Sequence, residues 1–388
     1  MALPEFGALS GAAPQPPSAS LWARMRARIA RYRDTLYASP AFQAFSVRFP
    51  LTQGVSNAYA KRLFDLAVGF SYARVLHACV ALDLFAKLKD GPVSIAALAA
   101  ACAAPPPGIA TLVRAAAALD LVRSFGKDGV RLGPLGAALL GNPGVEAMIA
   151  HHSLLYRDLV DPIALLRGDV HPTEVQRFWP YGDDADPARV AAYSHLMAAT
   201  QAMIARLVLA AYPMRRHRLL MDVGGGEGAF LIHAAQAAPR LRVRLVDRPA
   251  VAARAADRFA AAGLGDRAET IGADARIDAL PAGADAISFV RVLHDHDDDD
   301  AQALLTAAYR ALAPRGVVLV AEPMAQTPGA RAMGDAYFGL YLTAMGQGRP
   351  RSARDLSQRL RAAGFVGVEE RRTAQSVLVR LLVARKRG

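Results

Sequence analysis

Residues 219–228 read Leu-Leu-Met-Asp-Val-Gly-Gly-Gly-Glu-Gly, an apolar run that ends in an acid and opens through glycines into the helical stretch 229–238. Glycines let a backbone approach a ligand and take φ > 0 without a Cβ clash. The start of the next helix leaves N–H groups unpaired. Asp247 closes the following apolar run, 241–246, at the distance where an acid can hold ribose hydroxyls. Together these residues describe a nucleoside-binding turn; a plain strand–helix turn with no ligand is the alternative. A dinucleotide site spaces its glycines G-x-G-x-x-G so that a pyrophosphate sits on the helix start. Here Gly224, Gly226 and Gly228 alternate, and Glu227 lies inside the turn, where a carboxylate would repel a pyrophosphate. Asp222 beside the turn suits a cationic or zwitterionic cofactor. S-adenosylmethionine (SAM), with a sulfonium, an amino group and no phosphate, meets that description.

A second cluster follows the apolar run 286–290: Arg291-Val292-Leu293-His294-Asp295-His296, then Asp297 to Asp300. A neutral imidazole can take a proton from a substrate hydroxyl, and its ordinary pKa near 6.5 suits work at neutral pH. A neighbouring carboxylate can orient the ring and stabilise the imidazolium. His294 is the candidate base; His296 is the weaker one, because a helix begins just after it. The acidic run reads as the cap of the helix 301–312, placed at its positive end. Contiguous acids at a helix start rarely converge on one ion, so no metal is expected. Asp274 follows another apolar run and, in company with Asp247, reads as an adenine contact.

These residues need a scaffold. From residue 219 onward the pattern alternates strands (219–223, 243–246, 268–271, 286–290 and 317–321) with helices, and a strand pair (367–371 and 376–384) closes it. That is the signature of a parallel sheet with helices on both faces, and strands free of charge are expected when both faces are buried. Ligands bind such sheets outside the carboxyl ends of the strands, where the topology switches. Asp222, Asp247, Asp274 and Arg291 all fall there.

Upstream, residues 145–210 read as mostly helical. Residues 75–140 read as a winged helix: Ser94 caps a helix starting at 95, a second helix covers 109–119, and 121–123 with 130–132 form a hairpin around Gly126–Gly129. Such a unit can read DNA. The second helix, however, offers Arg114 alone among Ala, Leu and Val, whereas a recognition helix needs several polar groups facing the groove. Packing or dimerisation is the preferred role, and no nucleic-acid partner is expected. Residues 21–37 form a basic helix with Arg24, Arg26, Arg28, Arg31 and Arg33 beside Leu21, Trp22, Met25, Ile29, Tyr32 and Leu36. It can lie on an anionic bilayer or dock, solvated, on the next domain. Residues 1–20, rich in Pro, Ala, Gly and Ser, are expected to be a disordered tail.

The 388 residues are 53% hydrophobic and 21% charged, with net charge +12, so a large core is available and the charge is mostly scattered arginine. Cys79 and Cys102 have neither metal-ligand nor disulfide spacing, which fits a reduced cytoplasmic compartment. No secretory pattern and no run of 18 apolar residues is found. A soluble protein with contact at the inner membrane face left open is the expectation. The expected division is 1–20, a helical domain 21–210, and a catalytic domain 211–388.

The segments Asp-Val-Gly-Gly-Gly-Glu-Gly, Leu-Val-Asp-Arg-Pro-Ala-Val, Arg-Val-Leu-His-Asp-His-Asp-Asp-Asp and Val-Leu-Val-Ala-Glu-Pro-Met resemble the SAM-dependent, cation-independent O-methyltransferases. The likeness runs from about residue 70 to the end. It implies an α/β Rossmann-like methyltransferase domain preceded by a mainly helical winged-helix dimerisation domain, hence a homodimer. The stretches 333–341 and 344–352 resemble the carotenoid-specific branch of that family in purple bacteria, which methylates a tertiary hydroxyl of an acyclic carotenoid. By that resemblance Gly224, Gly226, Asp247, Asp274 and Arg291 line the SAM site, and Asp222 and Gly228 of the same turn join them as cofactor-binding candidates. His294 is the base, with Glu322 as its acidic partner. Asp295, Tyr193, Met197, Tyr341 and Met345 face a hydrophobic small-molecule substrate. Small-substrate relatives often have polar residues at the positions of Tyr341 and Met345, and carry a second glutamate where this chain has Pro350. Tyr337, Phe338, Tyr341 and Met345 fall on neighbouring helical faces and would form an apolar wall suited to a polyene. An acceptor of phenolic or polyketide type is the alternative, and a winged-helix DNA-binding protein a more distant one.

Overall fold

A computed structural model describes the backbone of residues 20–178 and 187–388, and the side chains of these except 187–195 and 197–199. The expected tail 1–20 lies, all but its last residue, outside the described residues. The chain divides into two compact units between Arg74 and Val75.

The first unit is helical: α1 (Leu21–Ala38), α2 (Pro40–Arg48) and most of α3 (Pro50–Ala81). The hydroxyls of Ser20 and Ser39 cap α1 and α2, and Pro40 stands at the first position of α2, where its missing N–H costs nothing. No side chain of α1 is buried. By length and composition α3 is apolar enough to cross a membrane. Its polar residues, among them Gln53, Asn57, Lys61 and Asp65, interrupt any continuous apolar run, which is why the sequence pattern did not show it.

The second unit begins with the end of α3, then α4 (Leu84–Lys87), β1 (Val93–Ser94), α5 (Ile95–Ala101), α6 (Pro106–Ala118), β2 (Val122–Phe125) and β3 (Gly129–Leu132). This is the expected winged helix. Ser94 accepts a hydrogen bond from the N–H of Ala97 at 3.2 Å, and β1 joins the hairpin as a third antiparallel strand. Ile109, Val113 and Ala116 of α6 are buried against Leu84, Phe85 and Leu98, so this helix spends its apolar face on its own core.

Four helices follow: α7 (Pro134–Leu140), α8 (Pro143–Asp158), α9 (Pro162–Arg167) and α10 (Glu174–Phe178). Then α11 (Pro187–Ala211) leads to β4 (Leu219–Val223), α12 (Ala229–Ala237), β5 (Arg242–Asp247), α13 (Pro249–Ala261), β6 (Ala268–Gly272) and β7 (Ala286–Val290). The chain continues with α14 (Asp298–Ala311), β8 (Val317–Glu322), a π-helical turn (Ala332–Tyr337), α15 (Phe338–Met345), α16 (Ala353–Ala362), β9 (Val366–Arg371) and β10 (Arg380–Arg385). The seven strands order as β6-β5-β4-β7-β8-β10-β9, parallel up to β8 and antiparallel thereafter. Alternate residues serve the two faces. In β8, Val317, Leu319 and Ala321 pack on one core and Val318 and Val320 on the other; each fully buried large aliphatic side chain contributes about 1.5–3 kcal/mol. Helix α11 packs on both α8 and α12, so the helical layer and the sheet are one unit from residue 75 on.

The closing strand is shorter than expected from 376–384. Residues 376–379 belong to a turn whose N–H groups at Leu378 and Val379 reach Gln375, while the Thr373 hydroxyl donates to the Val379 carbonyl at 2.6 Å.

Candidate active site

Strand order reverses between β4 and β7, and a cleft of about 360 Å³ opens at their carboxyl ends. Gly224, Gly225 and Gly226 line one end of it, with Asp247, Asp274 and Arg291; His294, Asp295, Tyr337, Phe338 and Tyr341 line the other. The glycine turn is pressed down hard. A Cβ on Gly225 would lie 2.4 Å from Asp222 Oδ2 and 2.6 Å from Leu245 Cδ1. Gly228 is different: its φ is +76°, and a Cβ there would strike the Phe259 ring at 2.5 Å. It serves helix packing and does not line the cleft.

Asp222 also differs from expectation. It is fully buried beneath the turn and outside the cleft lining. Its Oδ1 accepts from the Ser288 hydroxyl at 2.6 Å, while Oδ2 has no partner. Burial pushes its pKa up to about 7. Asp247 does face the cleft. Its two oxygens accept from the N–H groups of Gly226 (2.8 Å) and Arg248 (2.7 Å). A carboxylate has about four acceptor sites, so capacity for ribose hydroxyls remains. Burial raises its pKa, and those two N–H groups oppose the rise.

Glu227 is not the repulsive carboxylate that the sequence pattern implied. It is ion-paired with Arg254 (3.1 Å) and Arg258 (3.0 Å) of α13, so only the glycine spacing still speaks against a pyrophosphate. Asp274 is held by Arg276, whose guanidinium donates at 3.0 and 2.6 Å and keeps its pKa near 2. The acidic run is more than a cap. Asp297 makes no side-chain cap and instead accepts from the Gly348 N–H. Asp298 gathers Arg349, Arg351 and Arg359, and Asp300 faces Arg276.

His294 sits in a short 3₁₀ turn after β7, 7% exposed. Arg291, just before it, carries φ +59°, a conformation that non-glycine residues hold only when the surroundings impose it. Its guanidinium donates to the Thr200 hydroxyl at 2.9 Å. Glu322, at the end of β8, binds the whole turn: Oε1 accepts from the N–H groups of Val292 (3.0 Å) and Leu293 (2.8 Å), and Oε2 pairs with Nδ1 of His294. On the other side of the ring, Nε2 lies 3.1 Å from Asp295 Oδ1. A second carboxylate thus flanks the imidazole even though Pro350 replaces a glutamate. Burial works against the charged ring, but Asp295 and Glu322 outweigh it and raise the pKa of His294. Asp295 is itself pushed up by burial.

Arg351, 2% exposed, donates to the carbonyls of Leu293 (2.6 Å) and His296 (2.8 Å) and so grips the turn on both sides of the imidazole. Sequence reasoning missed it, along with His151 and His152 of α8. The histidine pair stands out inside the apolar stretch 147–156, but nothing local ties it to Tyr341 and Tyr337, which it meets in space. Met345 was expected to face the substrate. It is buried with Leu155, Leu165 and Val175, outside the cleft lining, at the end of α15, which packs there on α8, α9 and α10. The side chains of Tyr193 and Met197 lie outside the described residues.

Known proteins resemble this chain over most of its length. Residues 156–366 match the profile of the O-methyltransferase domain, and residues 64–142 that of the O-methyltransferase dimerisation domain. The demethylspheroidene O-methyltransferase of Cereibacter sphaeroides is 40% identical over 87% of this chain and 90% of its own length. That of Rhodobacter capsulatus is 38% identical over 87% and 85%. Among solved structures, the SAM-dependent methyltransferase SibL superposes with a TM-score of 0.71 at 26% identity, covering 84% of this chain and 99% of its own. The mitomycin 7-O-methyltransferase MmcR does so equally well, at 0.71 and 26%, covering 86% and 99%.

Proposed function

Because the chain belongs to the S-adenosylmethionine-dependent O-methyltransferases, we propose that it methylates the hydroxyl of an acyclic hydroxycarotenoid, with His294 as general base. The observation that carries this reading is the juxtaposition, in one cleft, of a buried imidazole between two carboxylates and an aromatic wall of Tyr337, Phe338 and Tyr341. Two relatives that cover most of this chain carry the name demethylspheroidene O-methyltransferase, which supports this acceptor.

The cofactor end fits a cationic nucleoside. The backbone of Gly224 to Gly226 allows close approach, Asp247 offers its remaining lone pairs to ribose hydroxyls, and Asp274 and Arg291 complete the lining. Bound there, SAM supplies a methyl group already activated by its sulfonium. His294 receives the hydroxyl proton at Nε2. Glu322 fixes Nδ1, so Nε2 stays the reacting nitrogen, and its charge stabilises the imidazolium. Asp295 releases Nε2 to the acceptor hydroxyl. An aliphatic tertiary alcohol is a poor acid, so the proton leaves late. Base assistance contributes about 10²–10⁴-fold, and positioning the acceptor contributes the larger share. Incubation with methyl-labelled SAM and a panel of hydroxylated acyclic carotenoids and phenols tests the acceptor. Label in a carotenoid methyl ether is expected; label in phenols alone overturns the assignment.

The dimerisation-domain match supports a homodimer. We assign to it the exposed stripe Leu63, Leu66 and Phe70 of α3, which runs into that match. A cytoplasmic location with peripheral contact is also our reading. Leu21 and Trp22 are 85% and 70% exposed, and with Met25, Ile29 and Tyr32 they form a stripe among the five arginines of α1, a pattern that suits the headgroup region of an anionic bilayer. Co-sedimentation with anionic but not neutral liposomes, reversed by salt, is expected. Equal recovery with both would refute it.

A further inference from the structure

Two adjacent histidines of α8 take no part in the proton step. His151 Nε2 lies 2.8 Å from the Tyr341 hydroxyl, and His152 Nε2 lies 2.9 Å from the Tyr337 hydroxyl. The tyrosines are one helical turn apart, so the two pairs form parallel rungs between α8 and the segment that begins with the π turn. That segment is itself pinned. Asp335 accepts from the Gln326 N–H at 3.0 Å, and a Cβ on Gly334 would lie 2.6 Å from the Met324 carbonyl oxygen. π turns of this kind concentrate at functional sites.

From the rungs an unbroken run of aromatic contacts leads to the base. His152 meets Tyr337 edge-on at 5.2 Å, Tyr337 meets Phe338 at 4.9 Å, and Phe338 meets His294 at 5.8 Å. Burial lowers the pKa of His151 to about 4 and also lowers that of His152, so both rings are neutral at pH 7. Each then has one donor and one acceptor nitrogen and can satisfy a phenol hydroxyl without bringing charge to the wall. The polar tips of the tyrosines are thus tied back to α8, while both residues line the cleft.

We propose that His151 and His152 are specificity-determining residues, locking Tyr341 and Tyr337 into an aromatic wall that selects a long conjugated acceptor and sets its hydroxyl at His294. This rests on the acceptor class proposed above. His152 acts in positioning, through Tyr337; His151 positions Tyr341 and also lines the cleft itself. Removing one partner of a buried hydrogen-bonded pair costs more than removing both.

The test measures Kd for a hydroxylated acyclic polyene by its absorption shift, with KM and kcat for the same compound, in the full-length protein. His151→Phe and His152→Phe are expected to raise Kd and KM about tenfold while kcat stays within about threefold. His151→Phe/Tyr341→Phe is expected to be no worse than His151→Phe alone, as coupled residues are non-additive. His151→Gln and His152→Gln, which keep a hydrogen-bonding group, are expected to bind within about threefold of wild type. Thermal stabilisation by S-adenosylhomocysteine reports folding for each variant, and the glutamine pair decides the matter should a phenylalanine variant not fold. Wild-type Kd in both phenylalanine variants, multiplicative effects in the double variant, or a tenfold loss confined to kcat overturns the clamp alone. A wild type that neither binds nor methylates the polyene overturns the acceptor class along with it.

Discussion

Glu322→Gln is the sharpest perturbation of the base. Glu322 is 2% exposed and has three partners: the N–H groups of Val292 and Leu293 on Oε1, and His294 Nδ1 on Oε2. A glutamine of the same shape keeps its amide oxygen for the two N–H groups, so the turn stays in place. The charge opposite the imidazolium is lost. The lost charge-assisted hydrogen bond contributes about 1.5–3 kcal/mol, and the amide N–H that takes its place donates to Nδ1 and puts the ring proton on Nε2, so kcat is expected to fall by at least about 10–150-fold. A second readout follows from titration. The base works deprotonated, and Asp295 and Glu322 together raise its pKa above the ordinary value of 6.5, so kcat rises with pH through a midpoint above that value. Removing one raising charge moves the midpoint to lower pH. The assay is kcat against pH, with calorimetry of S-adenosylhomocysteine as control. Glu322 does not line the cleft, so that affinity is expected to hold within about threefold. A kcat within twofold of wild type, with an unmoved midpoint, would refute the role given to this carboxylate.

Three further substitutions probe the cofactor end. Asp247→Ala removes the acceptor that we assign to the ribose, together with its bonds to the N–H groups of Gly226 and Arg248; calorimetry is expected to show S-adenosylhomocysteine binding weakened at least about tenfold. Gly225→Ala forces a Cβ to 2.4 Å from Asp222 Oδ2, and overpacking of about 1–3 kcal/mol is expected to appear as a lowered Tm. Asp222→Asn tests the buried acid. Its folded pKa, pushed by burial from 3.8 to about 7, lies above the unfolded value, so its contribution is intact below about pH 4 and is lost as pH rises through 7. The loss is on the order of 4 kcal/mol, and the variant is expected to show a flatter Tm-against-pH profile between pH 5 and 8 than wild type.

What the sequence discloses of this site is what lies contiguous in it. The glycine turn and Asp247 occupy the ends of β4 and β5, and His294 follows β7 within four residues, so strand pattern alone delivers them to one edge of the sheet. The winged helix is legible for the same reason: cap, helix and hairpin are all local. What stays hidden depends on long-range partners. His151 and Tyr341 are 190 residues apart, and no periodicity links them. Arg351 reads as one of many arginines until its guanidinium is seen closing on the carbonyls beside His294. Glu227 reads as a bare carboxylate because its two arginines belong to a later helix. Met345 shares a helical face with Tyr341, and only its distant partners Leu155, Leu165 and Val175 show that it is buried away from the cleft.

The proton transfer to His294 is tested most directly by single-turnover methyl transfer in His294→Gln, with the enzyme preloaded with SAM. The glutamine amide retains a donor for Glu322, so the turn and cofactor binding should persist while no group at that position can accept a proton. Transfer slowed about 10²–10⁴-fold with wild-type affinity for S-adenosylhomocysteine is predicted. Transfer at the wild-type rate would contradict it.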